Sequence, residues 1–205
     1  MPSPDDLPPR LECLYIENEE ADFWANVPTV HLRENVTSNA PQQATWFKTA
    51  WNERELLVLF HAEDNEAWAT LTQHDAPLYN EEVVEIFFDP AGDLGCYFEI
   101  EVNPLNAVCD LVLRRNRSGY LKDFGWHCEG LRTSVAQTPG YWSVEMAIPF
   151  ASLAVAPPPA GRMWRANFFR IDRPKSAPRE LSAWSPTGLP LFHVPEKFGF
   201  LEFVR

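Results

Sequence analysis

Three consecutive segments, 83–89, 96–103 and 107–114, alternate apolar and polar residues, and that alternation narrows the fold more than any other feature of the chain. Successive side chains of a β-strand point to opposite faces, so a repeat of two residues marks a strand with two unlike sides. In 83–89, Val84, Ile86 and Phe88 share one side, and Val83, Glu85, Phe87 and Asp89 share the other. In 96–103, Cys96, Phe98, Ile100 and Val102 oppose Tyr97, Glu99, Glu101 and Asn103; in 107–114, Cys109, Leu111 and Leu113 oppose Val108, Asp110, Val112 and Arg114. The link Asn103-Pro-Leu-Asn106 is short and rich in turn formers, which predicts an antiparallel hairpin. One face therefore builds a core. The other carries carboxylates and a few large apolar groups, the pattern of a ligand-facing sheet or of a solvated one.

Further β-rich runs fall at 29–33, 44–51, 55–62, 126–136, 141–148, 164–172, 180–184 and 199–204, with most of the 19 prolines between the runs. Only Phe150–Leu153, after Pro149, reads as a helical turn, and Ala156-Pro-Pro-Pro-Ala-Gly161 reads as a loop because β pattern resumes beyond it. The expected fold is an all-β antiparallel sandwich, immunoglobulin- or jelly-roll-like, of about 10–12 strands with minimal helix. Residues 1–20 are expected to be a polar segment of the same domain, and 21–205 a single sandwich domain. With 45% hydrophobic residues, including 14 Phe and 8 Trp, the chain can fill a core without covalent staples.

A net charge of −12 and the lack of a basic stripe argue against a nucleic-acid partner. No stretch reaches membrane-spanning length. The opening residues Met1–Arg10 are polar and proline-rich, without the charged and apolar regions of a secretory leader, so the expectation is a cytoplasmic protein; a removed leader would leave an extracellular setting open. Cys13, Cys96, Cys109 and Cys128 have no metal-ligand spacing, and buried free thiols are the expectation for Cys96 and Cys109. Nothing in the sequence points to a protein partner.

Leu56-Leu-Val-Leu-Phe60, Glu63-Asp64 and Val84-Glu-Ile-Phe-Phe-Asp89, in that order, resemble the core of the family 9 carbohydrate-binding modules. Ala21-Asp-Phe-Trp24 is similar to the family's opening segment, and Tyr141-Trp-Ser-Val-Glu-Met-Ala-Ile-Pro149 to a later strand. Ala183-Trp-Ser185 and Pro195-Glu-Lys-Phe-Gly199 are similar to its closing stretch. The resemblance implies a DOMON-related β-sandwich, of a kind often appended to xylanases, that binds xylan- or glucan-type oligosaccharides or chain ends without catalysing a reaction.

The same resemblance implies a site. Two tryptophans clamp a sugar in the family, and their positions fall here on Tyr79 and Phe192, both aromatic but smaller. Pyranose C–H groups lie flat on aromatic faces while carboxylates take hydroxyl hydrogen bonds. Glu85 matches the family's hydroxyl acceptor; the alternative is a charge paired with Arg170 or Arg114. Glu101 stands where the family has an arginine, replacing a donor by an acceptor. His193, beside Phe192, is a candidate hydroxyl donor or a loop cap, and Trp184 a candidate platform or a core residue.

Other chemistries have weaker signals. Glu85, Glu99, Glu101 and Asp110 could supply the two carboxylates of a glycoside hydrolase, but no acidic motif marks a single strand. Haem would need an axial His or Met without any CxxCH, and Met146 lies on an apolar strand phase. No cofactor is expected, with structural calcium open at Glu63, Asp64 and Asp89; zinc at His61 and His74 would need further ligands. Two further readings are a divergent interaction domain that no longer binds sugar and a weak hydrolase.

Overall fold

The computed structural model describes residues 7–17 and 22–205. Its first strands are β1 (Arg10–Tyr15), β2 (Val30–His31), β3 (Arg33–Glu34), β4 (Thr45–Trp51), β5 (Glu55–Asp64), β6 (Val83–Asp89) and β7 (Cys96–Val102). They are followed by β8 (Val108–Asn116), β9 (Gly119–Asp123), β10 (Arg132–Thr138), β11 (Gly140–Pro149), β12 (Met163–Asp172), β13 (Glu180–Ala183) and β14 (Gly199–Val204). Among the described residues helix is limited to single 3-10 turns, one of them at Phe150–Leu153 where Pro149 opens it. Among the described residues no helix is long and apolar enough to cross a membrane.

Hydrogen bonding links the strands in the order β10-β11-β5-β4-β1-β14-β12-β6-β7-β8-β9, and the sheet curls so that its two halves face each other. The hairpin read from residues 103–106 forms, with Glu101 opposite Cys109 and Glu99 opposite Leu111. The main core lies between the halves. Phe47 of β4 stacks on Phe168 of β12 with centroids 3.9 Å apart. Val84, Ile86 and Phe88 enter this core from β6, Phe60 from β5 and Val144 and Met146 from β11. Every one of these strands offers an alternate-residue apolar face, so closing the sheet removes all of them from water at once.

The opposite face of β6, β7 and β12 is covered too. Val83, Phe87, Tyr97, Phe169 and Ile171 form a second cluster, closed by Leu78 from the preceding loop and by Phe192 and Phe198 from the last one. A third, smaller cluster places Phe23 and Trp24 over Leu57 and Ala147.

Three local departures from the sequence expectations have physical reasons. Residues 10–15, within the segment read as polar, form β1, which runs parallel to both β14 and β4 and joins the two halves. Cys13 is its one fully buried side chain, so the apolar signal is weak. The strand expected over 126–136 begins only at Arg132, because the chain ahead of it bends to hydrogen-bond Cys128 N–H to Asp110 Oδ2 at 2.8 Å. The short β9 is an edge hairpin strand of mostly polar, half-exposed residues with no sequence pattern of its own. Of the segment Ala21–Trp24, Ala21 lies outside the described residues. All four cysteines are free; Cys13, Cys109 and Cys128 are buried and Cys96 is partly so.

Candidate functional site

The outer face of β6, β7 and β12 opens into a cleft of about 500 Å³ lined by Tyr79, Glu85, Glu99, Lys122, Phe192 and His193, with Phe124, Arg179, Leu181 and Leu191 around it. Strand parity selects these groups. Glu85 lies between Phe169 on β12 and Glu101 on β7, so the three project to one side. Glu99, two residues from Glu101, shares that side, and Lys122 joins it from β9 through its pairing with Leu113.

Glu85, Glu99 and Glu101 are at most 2% exposed. One oxygen of each (Glu85 Oε1, Glu99 Oε2 and Glu101 Oε2) has no hydrogen-bond partner among the described residues. Burial raises the pKa of Glu85 well above the ordinary value, and the charge of Glu99 adds to it, against the opposing Lys122 ammonium. Glu101 is raised in the same way by burial and then by Glu85 and Glu99. Burial also raises Glu99, while Lys122 and a hydrogen bond with Glu101 oppose the shift. Such a cluster holds shared protons, because like charges this close resist joint ionisation. It can donate as well as accept.

Aromatic groups border the carboxylates. Tyr79 is 40% exposed and has the Lys122 Nζ 5.7 Å from its ring centroid. Phe192 is only 6% exposed and stacks on Phe169 at 4.2 Å, so it presents an edge of the second cluster rather than a free ring. His193 Nδ1 lies 2.9 Å from the Tyr97 hydroxyl, and its ring stacks near Phe87 at 5.2 Å. Burial and the neighbouring Lys122 charge lower the His193 pKa to about 4, so the imidazole is neutral at neutral pH.

Of the residues singled out in the sequence, Tyr79, Glu85, Phe192 and His193 converge on this cleft, and Glu101 lies directly beside Glu85 beneath it. Arg170 and Trp184 lie elsewhere. Arg170 pairs with Val84 across the ladder and so points to the inner face, where its Nη2 meets Asp64 Oδ2 at 2.8 Å, with Glu82 at 3.7 Å and Asp172 at 3.6 Å. Those buried carboxylates hold an arginine, and the pKa of Glu82 still rises to about 8 because its own desolvation outweighs the guanidinium. Arg114 contacts Cys96 and not Glu85. Trp184 packs edge-on against Phe47 and Phe168 in the main core.

Two of the three calcium candidates are likewise engaged, Asp64 with Arg170 and Asp89 with the N–H groups of Gly92 and Leu94, each at 2.8 Å, while Glu63 is exposed. His61, weighed with His74 as a zinc ligand that would need further partners, stacks on Trp46 at 4.7 Å. Lys122, Phe124 and Arg179 are among the cleft residues that sequence reasoning missed, with the apolar Ile171, Leu181, Pro190 and Leu191. Lys122 and Phe124 sit in or just after the unpatterned β9; Arg179 precedes β13, and nothing in its sequence context distinguishes it from a solvated charge.

The fold is a curled β-sandwich with an aromatic and polar cleft on the outer face of one half. The description Carbohydrate-binding family 9 matches residues 24–203, and the chain belongs to that family, a family of non-catalytic binding modules. An Arthroderma benhamiae relative called an extracellular protein is 27% identical over 190 residues, 85% of each chain. A family 9 module from Caldicellulosiruptor kristjanssonii solved with glucose superposes with a TM-score of 0.71 at 21% identity, covering 96% of this chain and 97% of the module. One from the same organism solved with cellotriose gives 0.72 at 22% identity, covering 96% and 94%. Both likenesses are in fold.

Proposed function

We propose that the protein is a non-catalytic carbohydrate-binding module that holds a glucan- or xylan-type oligosaccharide, or a chain end, in the Tyr79–Glu85–Phe192–His193 cleft. The observation that carries this reading is the set of buried carboxylate oxygens of Glu85, Glu99 and Glu101 without hydrogen-bond partners among the described residues. A buried acceptor without a partner is costly, and sugar hydroxyls are short, adjacent and able both to donate and to accept. Membership of a carbohydrate-binding family and the glucose and cellotriose complexes of the two modules support the ligand class.

Tyr79 supplies the exposed ring for the sugar's C–H face, and Phe192 with Leu181 and Leu191 the apolar wall. His193 Nδ1 pairs with the Tyr97 hydroxyl, and in the tautomer in which that hydroxyl donates, Nε2 carries the hydrogen that a sugar hydroxyl can accept. Lys122 and Arg179 add donors where the matched family position carries Glu101 in place of an arginine. An extracellular setting agrees with the name of the fungal relative.

A calorimetric screen of cello- and xylo-oligosaccharides tests the reading. Saturable heat for at least one of them is expected. No heat at millimolar ligand would favour an interaction domain that has lost sugar binding, and steady release of reducing sugar would favour a hydrolase.

A further inference from the structure

On the face of β8 opposite to the one that Cys109 and Leu111 share with the cleft carboxylates, four metal-ligating side chains from three segments meet: His74, Asp75, Asp110 and His127. His74 Nε2 lies 3.2 Å from His127 Nδ1 and 3.2 Å from Asp110 Oδ1. His127 Nδ1 lies 3.3 Å from the same Asp110 oxygen, and the Asp75 oxygens lie 3.4 Å from His74 Nε2 and 3.9 Å from His127 Nδ1. Four ligands about 2.0–2.1 Å from a central ion stand roughly 3.3–3.4 Å from one another at the corners of a tetrahedron. The three separations among His74 Nε2, His127 Nδ1 and Asp110 Oδ1 match one face of that figure, and Asp75 turns one oxygen toward each histidine, at 3.4 and 3.9 Å.

Hydrogen bonding alone accounts poorly for the arrangement. A ring N–H points in one direction, so His74 Nε2 cannot serve His127, Asp110 and Asp75 together, whereas a cation at the centre faces all four lone pairs. The two aspartates are also held in place. Asp110 Oδ2 accepts from Cys128 N–H at 2.8 Å, which leaves Oδ1 turned to the histidines, and Asp75 N–H donates to the Val108 carbonyl at 3.0 Å. Asp110 is 3% exposed on its side chain and the two imidazoles are about half exposed, so an ion can enter from solvent.

We propose that His74, Asp75, Asp110 and His127 form a binding site for a divalent cation of the zinc class. Two imidazoles with two carboxylates suit Zn²⁺ and its borderline neighbours, whereas Ca²⁺ and Mg²⁺ take oxygen ligands. The site is a clamp. It ties the segment that continues to Tyr79, and the segment that leaves Phe124, to β8, so the two rims of the cleft are anchored to one strand. It stands whatever the cleft binds.

The test is titration of chelator-stripped protein with Co²⁺, followed in the visible spectrum and then back-titrated with Zn²⁺. One equivalent should produce the intense bands of four-coordinate Co²⁺, which Zn²⁺ should bleach. His74→Ala and His127→Ala should each abolish the saturable bands, and His31→Ala, at an exposed histidine outside the cluster, should keep them. Zn²⁺ should raise the melting temperature of the unaltered protein and leave that of His127→Ala unchanged. Absence of saturable bands, or bands that survive His127→Ala, would overturn the proposal.

Discussion

Glu85 and Glu101 stand directly opposite each other on neighbouring strands, both buried, and burial together with the charges of Glu85 and Glu99 raises the cost of ionising Glu101. A folded-state pKa above the unfolded value of 4.5 means that the native protein binds more protons than the unfolded chain. That stability is complete at low pH and is lost as pH climbs through the raised values.

Glu101→Gln removes one of the titrating members without changing shape. The variant should gain stability over the unaltered protein as pH rises above the ordinary carboxyl value of 4.5, with the gap closing at the acid end. His193, lowered from 6.5 to about 4, contributes in the opposite sense, its stability being lost as pH falls through that interval. It is present in both proteins and largely cancels in the difference. Melting curves across pH check this; a gap independent of pH would show that the carboxyls are not coupled to folding.

Tyr79 and Phe192 should separate binding from stability. Tyr79 is 40% exposed, so Tyr79→Ala should abolish saccharide binding with little change in melting temperature. Phe192 is stacked on Phe169, so Phe192→Ala should weaken binding and also cost about 3–5 kcal/mol in denaturant unfolding. Equal stability losses in the two variants would refute the division of roles.

Arg170 is the cation for Asp64, Glu82 and Asp172. Arg170→Met leaves three buried carboxyls without it and should destabilise by about 3–5 kcal/mol. The loss should shrink at low pH, where protonation relieves the cluster. A variant as stable as the parent at neutral pH would contradict this account.

Gly199 is fixed by the side chain it faces. A Cβ at this position would lie 2.5 Å from the Trp184 ring and 2.8 Å from the Pro9 carbonyl oxygen. Gly199→Ala should therefore cost about 1–3 kcal/mol, measured by urea unfolding. The two motifs of the closing stretch, one ending in Trp184-Ser185 and the other in Phe198-Gly199, are thus two sides of one contact.

Period-two alternation made β6, β7 and β8 legible to within two residues, together with the two faces of each, because burial on either side of a sheet leaves that signature directly in the sequence. What alternation could not show is that the second face is itself roofed. Leu78, Phe192 and Phe198 reach it from loops, and no local pattern announces where a loop will fold back. Tyr79, Glu85, Phe192 and His193 were found through the family likeness and meet at one cleft. Lys122 and Phe124 were missed because β9 is short, polar and held by its hairpin partner. The inward turn of Arg170 follows from its parity with Phe168 on β12, but that parity gains meaning only once Val84 is known to be its neighbour.

Methyl-labelled protein titrated with cellotriose tests the central claim most directly. The Ile171, Leu181 and Leu191 methyls line the cleft and should shift in a saturable way. Met146 and Ile148, in the main core, should not move. Saturable shifts confined to the cleft are the predicted result. No shift at saturating ligand, or shifts confined to another part of the surface, would contradict the account.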